Sequence, residues 1–98
     1  MSLDLRLKPQ VRRDLRAIAL YIARANQDIN SGQVVALRLA RRFQDILHAP
    51  GMGAPYHERS GVRKINEGPY KIFYRVAASE VIILRIWDGR RGHDPALA

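Results

Sequence analysis

Leu3, Leu5 and Leu7 alternate with Asp4, Arg6 and Lys8, the period-two pattern of a strand with one buried face, and predict a strand over residues 2–7. Pro9 then suits the first turn of a helix. Val11, Leu15, Ile18, Ala19 and Ile22 follow at helical spacing, with Arg12, Arg13, Arg16 and Arg24 mainly on other faces, which predicts a helix over 9–25. Residues 26–32, Asn-Gln-Asp-Ile-Asn-Ser-Gly, are rich in capping and turn types and make a short connection. Beyond them Ala36, Leu39, Ala40, Phe43, Ile46 and Leu47 form one stripe, with Arg38, Arg41, Arg42 and Asp45 off it, so a second helix is expected over 31–49. Pro50, Gly51 and Gly53 stop it.

The pattern then changes period. Residues 62–66, 70–77 and 81–87 are β-branched and aromatic segments separated by Glu67-Gly68-Pro69 and Ala78-Ser79-Glu80, the signature of an antiparallel meander. The predicted fold is α+β: an N-terminal strand, an αα-hairpin and a three-stranded meander, with the helices packed on one face of the sheet. Strict alternation puts Ile72, Tyr74 and Val76, and Ile82, Leu84 and Ile86, beneath the helices. The other face then carries Lys71, Phe73, Arg75, Arg85 and Trp87 with Arg63, a mixture of cations and rings. Phe73 and Trp87 read equally well as platforms for stacked bases and as core residues of a partly covered second face. No repeat or linker divides the chain, so one domain is expected over 1–98, with residues 88–98 a flexible tail.

Composition narrows the possible chemistry. The chain has 98 residues and is 47% hydrophobic, enough for one core and too short for two domains. Seventeen Lys and Arg against nine Asp and Glu leave a net charge of +8, which favours an acidic partner. The absence of cysteine excludes disulfide scaffolds, thiolate zinc sites and cysteine nucleophiles, and fits a reducing cytoplasm. No apolar run is long enough to span a membrane, and the first residues lack the core of a signal peptide. His48, His57 and His93 are scattered without metal-ligand spacing, so neither a metal nor a cofactor is expected. Gly51-Met52-Gly53 follows a helix, not a strand, and reads as a helix stop. Glu58 and Glu67 read as solvated loop carboxylates.

The order of elements joins a set of recognisable residues. Arg13-Asp14-Leu15 and Tyr21-Ile22-Ala23 on the first helix, Pro50-Gly51-Met52-Gly53 after the second, then Gly61-Val62-Arg63-Lys64, residues 69–76 (PYKIFYRV) and residues 81–91 (VIILRIWDGRR) together resemble the RelE/ParE superfamily of bacterial toxins, on its ParE or plasmid-stabilisation side. The resemblance covers residues 3–91. It implies a cytoplasmic toxin paired with a small acidic, ParD-like antitoxin in a hetero-oligomer. It also implies one of two activities: poisoning DNA gyrase by binding, or cutting messenger RNA on the ribosome.

Cleavage through the RNA's own 2′-hydroxyl needs a base, cations for the developing charge, and an acid for the leaving oxygen. Carried over by position, Arg63, Lys71 and Arg91 match the basic places of the cutting members, and His93 is the titratable candidate in the tail. Arginine stays protonated and fills the acid and base roles poorly. No tyrosine follows Tyr74, and Asp88 stands where ParE-type members often carry histidine. The expected activity is therefore gyrase inhibition without chemistry, the alternatives being a RelE-type endonuclease or a non-toxic basic binding module. Target contacts are expected from Arg75, Arg85, Trp87 and Arg90, and antitoxin contacts from Arg12, Arg13, Arg16, Arg38, Arg41 and Arg42.

Overall fold

The computed structural model describes residues 3–97, and the first and last residues assigned above, Ser2 of the strand and Ala98 of the tail, lie outside that range. The elements run β1 (Asp4–Leu7), α1 (Pro9–Asn26), α2 (Ile29–His48), a 3₁₀ turn (Pro50–Met52), β2 (Ala54–Pro55), β3 (Val62–Glu67), β4 (Tyr70–Ala77) and β5 (Glu80–Asp88). They form one five-stranded sheet in the order β1-β5-β4-β3-β2. β1 runs parallel to β5, Leu7 opposite Ile83, while the remaining pairs are antiparallel. The two-residue β2 is an addition to the expected strands: Pro55 pairs with Arg63 at the edge, a place that tolerates a residue with no N–H.

The connection between the helices is shorter than its composition suggests. Gln27 takes a left-handed conformation, φ 52°, and Asp28 caps α2 by accepting from the Asn30 N–H at 3.0 Å, so the second helix begins at Ile29. Gly32, where the expected connection and the expected helix overlap, is buried inside α2 where it crosses α1. A Cβ there would overlap the Ala19 carbonyl oxygen and lie 3.0 Å from its carbon, so only glycine permits this approach. At the far end, Gly68 at φ 57° turns β3 into β4.

The main core lies between the hairpin and the sheet. Val11 of α1, Leu39, Phe43 and Ile46 of α2, and Tyr70, Ile72, Tyr74, Val81, Ile83 and Ile86 of the sheet are buried together, with Leu3, Leu5 and Leu7 packed at the edge. Each such side chain contributes about 1.5–3 kcal/mol by leaving water. Strict alternation fails on β5. Phe73 pairs with Arg85 but Tyr74 pairs with Ile83, so Leu84 is an extra residue that shifts the phase of the strand. Ile86 therefore joins Val81 and Ile83 under the helices, whereas Ile82, Leu84 and Trp87 face the other way. Val76, also expected under the helices, is 44% exposed at the end of β4.

The second face is not open. Tyr56, Val62, Phe73, Ile82, Leu84 and Trp87 form a smaller core there, Phe73 at 0% exposure and Trp87 at 8%. Tyr56 meets Phe73 edge to face with ring centroids 5.1 Å apart. Of the two readings of Phe73 and Trp87, core residues is the one the fold adopts. Residues 89–97, expected as a flexible tail, run back across this face, with Pro95 buried and Leu97 against the apolar cluster. Apolar surface on both sides of the sheet requires a second cover, and the 56–61 loop and this segment provide it.

Candidate functional site

Of the four residues singled out for cleavage, Arg63 is held apart from Lys71, Arg91 and His93. Arg63 alternates with Val62, which belongs to the second-face core, and its cross-strand partner is Tyr74 of the main core. It therefore lies on the helix-covered side, not on the face expected for it. Its guanidinium donates to the Gly53 carbonyl at 2.7 Å, beside the Gly51 carbonyl at 3.5 Å. The same loop is fixed by Tyr74, whose hydroxyl donates to Pro50 O at 2.6 Å and accepts from the Gly53 N–H at 2.9 Å. Arg63 is thus a clamp on the loop after α2.

Lys71, Trp87, Arg91 and His93 do come together on the second face. Arg91 stacks over the Trp87 ring at 4.2 Å, and the His93 ring lies 5.5 Å from it. Trp87 Nε1 donates to the His93 carbonyl at 2.7 Å, so that residue's backbone is its anchoring group. Lys71 Nζ donates to Asp94 at 3.0 Å, and the Tyr56 hydroxyl donates to the other oxygen of that carboxylate at 3.2 Å. The Lys71 ammonium is the chief reason that the Asp94 carboxyl sits below its ordinary range. Burial is the chief cause that pushes the Tyr56 hydroxyl up. Asp94 is a member of the cluster that sequence reasoning missed; its position in a Gly-His-Asp-Pro run resembles any polar turn.

The residues expected to touch a target divide similarly. Arg75 is exposed on β4. Arg85 forks onto Asp14 of α1, with contacts of 2.9 and 3.0 Å, and Asp14 also accepts from the Ile86 N–H at 3.0 Å. β1 covers β5 only as far as Ile83, so Asp14 supplies the acceptor where the edge becomes bare. It is 8% exposed, and the sequence reading quoted it in the Arg13-Asp14-Leu15 run without a partner. Arg90 forks onto Asp88 at 2.9 and 2.8 Å, which lowers the Asp88 carboxyl, and Arg90 stays exposed. A cavity of about 340 Å³ opens beside the bare edge between Asp14, Tyr21, Tyr70, Ile86, Asp88 and Arg91.

On the hairpin, Arg12, Arg13, Arg16, Arg38 and Arg41 are exposed. Arg42 is drawn inward, 3.3 Å from Glu67, 3.2 Å from Asp45 and 3.4 Å from the Asn66 carbonyl, tying α2 to β3. Between the arginines stand large apolar side chains in water: Leu20 and Tyr21 on α1, Ile29, Val34 and Leu37 on α2, the last 61% exposed. The stripes read from the sequence are the buried ones; this outer set is what remains after they are removed. Such a patch on a small protein marks a surface for a partner.

Among the described residues no group of His, Cys, Asp and Glu is placed to hold a metal ion, and no helix is long and apolar enough to cross a membrane. The His48 ring lies 2.8 Å from the Gln44 carbonyl at the end of α2, and His57 is exposed in the loop before β3.

Comparison with known proteins places this geometry. Toxin ParE3 of Caulobacter vibrioides is 33% identical over 66 residues, which span 62% of this chain and 66%, just under two thirds, of that protein. The chromosomal ParDE toxin–antitoxin system of P. aeruginosa contains a chain that superposes with a TM-score of 0.78 at 21% identity, over 89% of this chain and 96% of that one. The RelBE2 toxin–antitoxin complex of Mycobacterium tuberculosis gives 0.64 at 22% identity, covering 90% and 99%. A mutant of E. coli toxin RelE in the free state gives 0.67 at 16% identity, covering 92% and 86%. These structures share the fold of strand, helical hairpin and sheet. The profile of the family described as the ParE toxin of the type II toxin-antitoxin system, parDE, matches residues 5–92, nearly every residue from β1 to the Trp87–Arg91 stack, and the chain is a member of that family.

Proposed function

We propose that this chain is the toxin of a type II toxin–antitoxin pair, cytoplasmic, silenced by an acidic antitoxin, and active by binding DNA gyrase without a covalent step. The observation that carries the last part is the commitment of the cleavage candidates: Arg63 serves loop carbonyls, Lys71 is neutralised by Asp94, and His93 contributes its backbone. A toxin lacking a positioned acid and base works by occupying a surface. Arg75 and Arg90 are the exposed cations of the expected target set, while Arg85 and Trp87 hold the fold around them. The antitoxin is seated on the outer face of the hairpin, whose helices expose Arg12, Arg16, Arg38 and Arg41 together with Leu20, Val34 and Leu37, while Arg13, also exposed, borders Leu84, Arg85 and Leu97.

The test is supercoiling of relaxed plasmid by purified gyrase with increasing toxin. Loss of supercoiling, restored by the antitoxin, is the expected result. Undisturbed gyrase together with primer-extension stops in ribosome-bound message would replace this reading with the endonuclease, which the RelE-like fold and the gathering of Lys71, Arg91 and His93 favour. In that event His93→Ala measures whether the imidazole takes part. Normal growth after induction without the antitoxin would leave the non-toxic module.

A further inference from the structure

β5 outruns its neighbour on one side. β1 pairs with it as far as Ile83, while β5 continues to Asp88. The Gly89 N–H donates to the Pro69 carbonyl at 2.7 Å across the Tyr70–Asp88 pair, so Asp88, and Ile86 two residues before it, turn their own N–H and C=O away from β4 toward the open edge. Two of those four groups are served from within the chain. Asp14 accepts from the Ile86 N–H at 3.0 Å, and the Arg91 N–H donates to the Asp88 carbonyl at 3.1 Å. Among the described residues the Ile86 carbonyl and the Asp88 N–H have no partner, which leaves an acceptor and a donor side by side.

The cavity of about 340 Å³ opens on this same edge, walled by Ala17, Ile18 and Tyr21 of α1, Tyr70 of β4 and Arg91. Asp14 and Asp88 also line it, but each is forked by an arginine, so the lining carries no uncompensated acid. Arg24 borders the adjoining hollow with Tyr21, and Arg90 borders the one beside Tyr70, so a cation stands near each tyrosine.

We propose that this edge and cavity bind a purine nucleotide, the base pairing with the Ile86 carbonyl and the Asp88 N–H and the phosphates lying against Arg24 and Arg90. A bare edge invites an added strand, but here a strand would gain a single rung. An antiparallel strand needs both groups of one residue, and Ile86 and Asp88 each have one taken; a parallel strand meets Asp14 on one side of that rung and the Arg91 N–H on the other. A nucleobase needs only one donor and one acceptor, adjacent on its Watson–Crick edge. Apolar and aromatic walls with a few convergent backbone groups are the makings of a small-molecule site, for which volumes of about 300–1,000 Å³ are usual. Two fused rings fill the space between the helix and Tyr70 better than one, and phosphate oxygens suit the exposed guanidinium groups at its mouth. The inference holds whether or not gyrase is the target.

The probe is ATP carrying a methylanthraniloyl group on its ribose, followed by fluorescence anisotropy with the purified toxin, with unlabelled ATP, GTP, UTP and inorganic triphosphate as competitors. ATP and GTP should displace it at concentrations about tenfold or more below those of UTP and triphosphate. In the amide nitrogen–proton spectrum, ATP and adenosine should both shift the Asp88 resonance. Ala17→Trp, at an exposed helical position on the cavity wall, should abolish binding by filling the space. Tyr21→Ala, at a position 63% exposed, should weaken it about tenfold and keeps the test decisive should the tryptophan disturb the fold. Arg24→Gln should weaken ATP about tenfold and leave adenosine unchanged, whereas Arg12→Gln, which removes the same charge from the same helix away from the cavity, should leave both at wild type. Displacement by triphosphate as effective as by ATP reduces the interaction to net charge and overturns the proposal. So does an Asp88 amide that ATP leaves in place, or an equal loss in Arg24→Gln and Arg12→Gln. Equal displacement by UTP overturns the assignment to a purine, and tighter binding of oligoadenylate than of ATP, base for base, overturns the assignment to a mononucleotide.

Discussion

Asp14 and Asp94 are carboxylates with opposite duties, and their surroundings explain why. Asp14, buried, serves Arg85 twice and the Ile86 N–H once, so it replaces a missing strand at the edge of β5. Asp14→Ala should cost about 3 kcal/mol, because it leaves a buried N–H and a guanidinium without acceptors, and urea unfolding would show it. A loss below about 1 kcal/mol would mean that water replaces the carboxylate. Asp94 is 29% exposed, and its effect belongs to residues 92–97, which it fastens to the sheet. Its carboxyl titrates below the usual 3.8, chiefly through Lys71, so its contribution is complete at neutral pH and disappears as pH falls through the depressed value. The groups facing it are Lys71, Tyr56 and Lys64. Acrylamide quenching of Trp87 fluorescence should therefore rise on acidification below about pH 4, ahead of the loss of far-ultraviolet ellipticity, and Asp94→Asn should lack this step. Neither carboxylate's pairing was legible in the sequence. Asp14 lies 71 residues from Arg85 and Asp94 lies 23 from Lys71, and pairing over such separations is created by topology, not by local pattern.

At the scale of elements, periodicity located β1 and both helices because each buries a single face, and β-branched and aromatic content between turns located the meander. It failed where both faces are apolar. In Ile82-Ile83-Leu84 every position is buried, so alternation carries no phase information and the extra residue at Leu84 is invisible until the pairing with β4 is known. The consequence reaches the site, since the bulge is what puts Ile86 in the main core and leaves Trp87 on the second face. Gly32 is the parallel case in the hairpin: its residue type suggests a turn, yet its use is the close crossing of α1 and α2. Two effects compete in Gly32→Ala. Helix propensity favours alanine by about 1 kcal/mol, whereas the overlap with the Ala19 carbonyl forces the helices apart at about 1–3 kcal/mol. The overlap involves backbone, which cannot rotate away as a side chain can, so the net effect should be a lower melting temperature, with Gly32→Val lower still. An unchanged or raised melting temperature would show that the crossing is loose enough to absorb a methyl group.

For the whole molecule, the charge of +8 is distributed between two faces with different neighbours. On the sheet side most cations are already engaged: Arg63 by carbonyls, Lys71 by Asp94, Arg85 by Asp14 and Arg90 by Asp88. On the hairpin side Arg12, Arg16, Arg38 and Arg41 are exposed around Leu20, Val34 and Leu37, with Arg13 3.3 Å from Gln10. Long-range attraction and short-range adhesion therefore share that surface, and kinetics can separate them. Exposed charges steer encounter and are screened once the Debye length falls from about 14 Å to about 4 Å between 0.05 and 0.5 M salt. Apolar anchors act only in contact and govern dissociation. With immobilised antitoxin and toxin in flow, that salt increase should lower the association rate about tenfold or more and leave the dissociation rate within about twofold. Leu37→Ala should do the reverse, speeding dissociation about tenfold with association little altered. An association rate indifferent to salt would remove the arginines from the encounter, and a dissociation rate indifferent to Leu37→Ala would move the antitoxin off the hairpin, toward the bare β5 edge and its Tyr21–Tyr70 cavity.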